Sequence, residues 1–164
     1  MPKKRRNHQR SKVLAFLHNS KALQTLIPYF AAGSLKLVFE IRAAIEMNRR
    51  NPSKAVEFLQ AVSPYELGVV DSLYSAYLRG LAYLLLRQGS EAATEFQRIL
   101  DHRSIVQNNS QGALARLGLA RAYAMQGDTA KAKAAYQDFL ALWKDADADI
   151  PVLIAAKAEY ATLH

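Results

Sequence analysis

The sequence contains no cysteine, and this absence removes several functional classes at once. Without a thiol, the chain forms no disulfide, no thiolate metal site and no cysteine nucleophile. Glycine and proline are also sparse, with seven and five residues among 164. Most of them stand between apolar runs, where they interrupt helices. The first expectation is therefore a helical protein without covalent cross-links.

No uninterrupted apolar run is long enough to cross a membrane. The best candidate, Val69–Leu86, is broken by Asp71 and Arg79, and both charges are costly in lipid. The run Val13–Leu17 follows basic residues, as the apolar core of a signal peptide does, but its five residues are too few. The sequence therefore predicts a cytoplasmic protein without a membrane span.

An acidic run near the C terminus resembles the start of a calcium loop. Asp145, Asp147 and Asp149 alternate as the first ligands of an EF-hand do. Such a loop then needs glycine at position 150 and glutamate at 156, where this chain has Ile150 and Ala156. We interpret the run as a solvated turn and predict no metal site.

Motifs for catalysis are missing as well. No serine lies in a nucleophile elbow, and no glycine-rich phosphate loop is present. The four histidines have no partner at metal-ligand spacing. Carboxylates that converge only in the folded chain are the remaining catalytic alternative. The sequence predicts no catalytic residue and no cofactor, and the protein is expected not to be an enzyme.

The formal net charge of +8 is concentrated at the N terminus. The rest of the chain has 16 basic against 14 acidic side chains, a net charge of about +2. Residues 1–12 therefore form a basic tail, which is either a solvated terminus or a segment that associates with nucleic acid through phosphate contacts. The tail contains six cations and no acid: Lys3, Lys4, Arg5, Arg6, Arg10 and Lys12.

The chain repeats itself with a period of 40 residues. In the last unit, a helix over Gln111–Met125 is predicted to end at Gly127, and Asp128 is predicted to cap a second helix over Thr129–Lys144. A weaker unit lies upstream, where Pro52 starts a second helix. The same residue types recur at positions 83 and 123, 92 and 132, 96 and 136, 97 and 137, and 100 and 140. We predict repeats at 35–63, 70–102 and 111–144 and a capping helix at 150–163.

Residues 13–34 carry apolar residues without a clear repeat pattern. They suggest one or two short helices, broken near Asn19-Ser20 and ended by Pro28. We treat them as a separate helical N-terminal segment. Its apolar character also suggests association with a second copy of the chain.

The repeat residues resemble the tetratricopeptide repeat. The resemblance implies an all-α fold, a tetratricopeptide-like superhelix of about three helical hairpins with a C-terminal capping helix. The weak unit has Glu46 and Leu59 at the two aromatic positions, and the usual tryptophan and closing proline are absent. The matching residues are Gly80, Tyr83, Ala92 and Phe96, and again Ala120, Tyr123, Ala132 and Tyr136.

A narrower resemblance covers residues 41–163. Stretches such as IRAAIEMNRRNPSKAVEFL and GDTAKAKAAYQDFLALWKDADADIP look like the C-terminal repeat region of acidobacterial multidomain proteins. Those proteins carry a eukaryotic-like serine/threonine kinase domain or a winged-helix domain. Asp101-His102-Arg103 is not the His-Arg-Asp order of a kinase catalytic loop. The resemblance implies a bacterial signalling role as a detached sensor domain.

The resemblance also places a binding groove on the first helix of each unit. It implies a non-catalytic scaffold or interaction module that takes a protein or peptide partner in a concave groove. Aromatic and methionine side chains at such positions suit an apolar or extended peptide. Leu81, Leu84, Leu114 and Leu117 are expected to be core. The groove residues it implies are Tyr74, Tyr77, Arg121, Met125, Met47 and Asn48.

Overall fold

The computed structural model describes residues 21–67, 73–106 and 110–163, with the backbone alone for 21–32 and 103. In these stretches every regular element is a helix. The α-helices are α1 (Lys21–Asn48), α2 (Pro52–Ala61), α3 (Tyr74–Leu85), α4 (Gly89–Asp101), α5 (Arg103–Val106), α6 (Gln111–Met125), α7 (Thr129–Leu142) and α8 (Pro151–Ala161). A short 3-10 turn, Ser63–Tyr65, follows α2.

Three helical hairpins follow one another along the chain. Helix α1 packs on α2, α3 on α4, and α6 on α7. The second helix of each hairpin also packs on the first helix of the next, as α2 does on α3 and α4 on α6. Helix α8 covers α7 at the end of the array. Each hairpin thus buries its apolar face against a neighbour, which is how repeat arrays build a continuous core.

The same turn joins the two helices of every hairpin. The second residue after the first helix adopts a left-handed backbone, with φ of 62° at Arg50, 62° at Arg87 and 78° at Gly127. In each turn the next N–H donates to the carbonyl five residues back, at Glu46, Tyr83 and Tyr123. These bonds form a Schellman motif. The upstream hairpin therefore has the geometry of the other two, although its sequence matches the repeat only in part.

Several predicted boundaries are confirmed. Helix α6 spans Gln111–Met125 as predicted, and the side chain of Asp128 accepts a hydrogen bond from Lys131 N at 3.1 Å. Helix α7 ends at Leu142, two residues earlier than predicted. Helix α3 begins at Tyr74, whereas the repeat was predicted to begin at residue 70.

The prediction that Pro28 ends a helix is wrong. Helix α1 continues from Lys21 through Pro28 to Asn48, past the predicted boundary at 34–35. A proline inside a helix removes one backbone donor and costs about 3 kcal/mol locally, but it does not stop the turns that follow it. Those turns consist largely of good helix formers, so the helix resumes.

The core lies between the hairpins, and its centre is the ring of Phe96 on α4. This ring occupies a slot between α3 and α6. A Cβ added at Gly80 would meet the ring at 2.7 Å, and one added at Gly118 would meet it at 2.4 Å. The two glycines therefore permit the close approach that lets one aromatic ring join two units. Leu117 is buried beyond this slot, as predicted for a core residue.

A buried ion network links the first hairpin to the second. The guanidinium of Arg79 on α3 is 3% exposed and makes five hydrogen bonds. It donates twice to Glu66, twice to Glu95 on α4 and once to the carbonyl of Leu59 on α2, at 2.7–3.3 Å. Arg98 contacts the fully buried Glu66 from the other side at 2.7 Å. Every donor of the guanidinium is used, which is the condition under which a buried charge is tolerated.

Replacing Arg79 with methionine is expected to lower the free energy of unfolding by about 3–5 kcal/mol, because Glu95 loses its cation and the fully buried Glu66 keeps only the partly exposed Arg98. Urea unfolding followed by far-UV circular dichroism measures the loss. The triple variant Arg79→Met/Glu66→Gln/Glu95→Gln should recover a large part of it. A loss below about 1 kcal/mol in the single variant would contradict the network's importance.

Two glycine substitutions test the turn geometry. Gly127→Ala should destabilise the protein by about 1–2 kcal/mol, because an L residue at this left-handed position is strained although the space beside it is open. Gly112→Ala is the matched control, since its added Cβ meets only Val106 at 3.6 Å inside a helix. It should stabilise by about 0.5–1 kcal/mol. Equal effects of the two changes on the unfolding temperature would speak against the turn.

Candidate functional site

The first helices of the last two hairpins and the capping helix α8 bring four side chains onto one face, which we call the inner face: Tyr74, Tyr77, Arg121 and Glu159. Tyr74 and Tyr77 lie one turn apart on α3, and their rings are stacked with centroids 6.2 Å apart. Arg121 lies on α6 and Glu159 on α8. Three helices, α3, α6 and α8, therefore contribute to this surface.

The two tyrosines differ in their surroundings. Tyr74 is 39% exposed at the start of α3. Tyr77 is half-buried, and its ring meets Phe96 edge-on at 6.0 Å. Burial raises the pKa of the Tyr77 hydroxyl, and the nearby positive charge of Arg121 opposes this only in part. The pair thus presents a neutral aromatic surface anchored to the core.

Arg121 and Glu159 form a bidentate ion pair across α6 and α8. Arg121 Nε donates to Glu159 Oε2 at 2.8 Å, and Nη2 donates to Oε1 at 2.9 Å. The hydroxyl of the buried Tyr136 also donates to Glu159 Oε2, at 2.7 Å. Burial opposes ionisation of this carboxyl, but the hydrogen bonds from Arg121 and Tyr136 outweigh it and lower the pKa of Glu159.

The same contacts also change the pKa values of the two donors, Arg121 and Tyr136. Burial works against the charge on Arg121, but the bond to Glu159 prevails and raises its pKa. The pKa of Tyr136 is also raised, first by burial and then by the bond to Glu159. At neutral pH the site therefore holds an ionised carboxylate, a charged guanidinium and neutral phenols.

The remaining predicted groove residues do not join this surface. Met47 packs against the core between the first two hairpins, and Met125 lies against Gly89 at the start of α4. Asn48 is exposed at the end of α1. The six basic residues of the predicted tail, Lys3, Lys4, Arg5, Arg6, Arg10 and Lys12, lie outside the described residues.

Sequence reasoning missed Glu159 and Tyr136. One signal was available for Glu159, which follows Arg121 by 38 residues, close to the period of 40. Residues one period apart occupy neighbouring first helices of an array, so an acid there can meet a base. Tyr136 was identified only as a repeat aromatic, and its hydroxyl bond needed coordinates.

Neither a metal-binding cluster nor a membrane-spanning helix is found among the described residues. Within these stretches no group of three or more histidine or acidic side chains could hold a metal ion. The three aspartates between α7 and α8 are exposed. None of the helices in the same stretches is long and apolar enough to span a bilayer.

The pair Arg121–Glu159 makes the docking of α8 sensitive to acid. Because the folded state lowers the pKa of Glu159 from its ordinary value of 4.5, its contribution to stability is present above that value and is lost as the pH falls below it. The only tryptophan, Trp143, packs against the same core cluster as Leu153 of α8. Its emission should therefore report a weakening of the contact between α8 and this cluster as the pH falls from about 5 to 3.

The variant Glu159→Gln separates the contribution of this carboxyl to the pH dependence from that of the other acidic residues. The stability difference between wild type and Glu159→Gln should be largest near pH 6 and should shrink as the pH falls. Tyr136→Phe should shift that change to higher pH, because it removes one bond that favours the carboxylate. A difference that stays constant from pH 6 to 3 would contradict the assignment.

Comparison with protein families gave a match over the last hairpin. A model of the tetratricopeptide repeat matches residues 114–146, which cover most of α6 and all of α7. Neither the curated proteins nor the solved structures gave a significant match. The resemblance to kinase-linked and winged-helix regulators therefore stays a prediction. The helical architecture shows an all-α helical repeat superhelix, and the match supports a tetratricopeptide-type repeat over residues 114–146. Such repeats generally mediate protein–protein interaction or scaffolding.

Proposed function

We propose that this chain is a non-catalytic interaction module that binds a protein segment or an extended peptide on its inner face. The exposed aromatic stack of Tyr74 and Tyr77 beside the Arg121–Glu159 pair carries the proposal. A flat neutral aromatic surface next to a partly exposed ion pair offers both an apolar anchor and polar orientation to a peptide. Signalling as a detached sensor domain is a finer form of this proposal.

The shifted groups on the inner face argue for binding and against acid–base chemistry. A general acid or base works best when its pKa lies near the working pH. The pKa of Glu159 moves away from neutrality, and so do those of Tyr77 and Tyr136. These groups therefore keep fixed protonation states, which suits recognition of a partner.

The polar half of the site can discriminate between partners. The side chain of Arg121 is 32% exposed and that of Glu159 is 36% exposed, so solvent and a partner can reach both. A carboxylate on the partner would compete with Glu159 for the guanidinium, whereas a cation would be drawn to Glu159. Apolar peptides with a single polar group near an aromatic residue should therefore be preferred over highly charged ones.

Selection from a random peptide library against the full chain tests the proposal, with affinities of the selected peptides measured by fluorescence anisotropy. Tyr74→Ala should weaken binding about tenfold, the loss expected for one interface aromatic. The matched control is Tyr65→Ala, which removes a similarly exposed tyrosine from the turn after α2. Circular dichroism checks that both variants are folded.

Two results would reject the inner face as the peptide-binding surface. The first is that every selected peptide binds Tyr74→Ala and Arg121→Met as tightly as wild type. The second is that Tyr65→Ala weakens binding as much as Tyr74→Ala. Selection of peptides sensitive to both Tyr74 and Arg121 would support a single surface that spans α3 and α6.

A further inference from the structure

Between residues 35 and 45, helix α1 buries charged side chains beside Ala43 and exposes most of its aliphatic ones. Its buried face carries charged side chains, with Lys36 Nζ 2.9 Å from Glu40 Oε1, and Ser75 of α3 donates to the same carboxylate oxygen at 2.6 Å. Its exposed face carries aliphatic side chains that are 43–54% exposed. We call these residues the outer stripe: Leu35, Leu37, Val38, Ile41 and Ile45.

This arrangement needs a cause, because a surface helix normally turns its apolar stripe to the core. The spacing of Leu37, Val38, Ile41 and Ile45 follows one side of a helix over about two turns. The aliphatic stripe is therefore continuous, and it faces away from α2 and α3. A contiguous exposed aliphatic patch of this kind marks an interaction surface.

The stripe contains no charge, and its nearest exposed cation is drawn away from it. The guanidinium of Arg42 lies over the rings of Phe39 and Phe58, 5.9 and 6.0 Å from their centroids. Two such stripes can therefore meet without like-charge repulsion. An uncharged aliphatic surface is also complementary to itself, which is what a two-fold interface between identical chains requires.

The area is consistent with such a pairing. Five half-exposed aliphatic side chains present on the order of 400 Å² of apolar surface, about half of what one partner gives to a standard interface. Helix α1 begins at Lys21, fourteen residues before Leu35, so its backbone extends about 21 Å further. The helix is therefore longer than the stripe itself. The basic segment 1–12 is a poorer occupant, because the stripe offers its six cations no acceptor.

We propose that the outer stripe of α1 is the interface between two copies of this chain, which pair helix against helix about a two-fold axis. The pairing uses α1 only. It leaves the inner face on α3, α6 and α8 uncovered, so it does not rest on the function proposed above.

Sedimentation velocity of the full chain over a concentration series tests the pairing. Wild type should form a dimer, and Ile41→Lys should weaken it about 100-fold, because two lysines would be forced into an apolar contact. Leu142→Lys is the matched control, since it makes the same change at an aliphatic side chain that is 59% exposed on α7. It should dimerise as wild type does.

Cysteine cross-linking gives a second readout in this cysteine-free chain. Single variants Leu37→Cys, Ile41→Cys and Ile45→Cys should include at least one that forms a disulfide-linked dimer faster than Leu142→Cys. A wild type that remains monomeric throughout, or an Ile41→Lys variant that dimerises equally well, would overturn the proposal. If the wild type is monomeric, the outer stripe would instead be a binding surface for a different protein.

Discussion

The position of α3, and with it the aromatic half of the inner face, depends on one buried guanidinium. Arg79 holds the end of the first hairpin and the second helix of the next through Glu66 and Glu95. Tyr77 and Tyr74 stand two and five residues before Arg79 on the same helix. Hydrogen bonds are directional, whereas apolar packing tolerates small slides between helices. The network therefore fixes how α3 is placed, at the cost of burying two charged side chains, Arg79 and Glu66.

Local features of the fold could be predicted because their causes are local. The Gly127-Asp128 pair specifies a left-handed turn and a helix cap within three residues, and both are present. The period of 40 residues correctly related the last two hairpins. The upstream turn has Arg50 in place of glycine and keeps the same hydrogen bonds, because the packing of its two helices outweighs one strained residue. Backbone geometry is thus retained where sequence similarity fades.

The interactions that position the candidate site could not be predicted, since each joins residues distant in sequence. Arg79 meets Glu66 and Glu95 from separate elements, and the sequence alone showed only a charge inside an apolar run. The contact between Arg121 and Glu159 needs the register of α8 against α6. Pro28 is the opposite case, where a strong local rule predicted a helix end that the surrounding turns override. A single sequence constrains turns well and long-range pairs poorly.

The buried charges and the exposed outer stripe of α1 connect the stability of the array to its proposed role in binding. The charged side chains of α1 are needed inside, where Glu40 reaches Ser75, so its aliphatic residues are left on the outside. Burying the outer stripe between two copies would satisfy both faces of the same helix. Because the inner face lies on other helices, such a dimer would present two binding surfaces at once. A partner with two recognition segments would then bind the second site at a raised effective concentration, and its affinity would rise without any new contact.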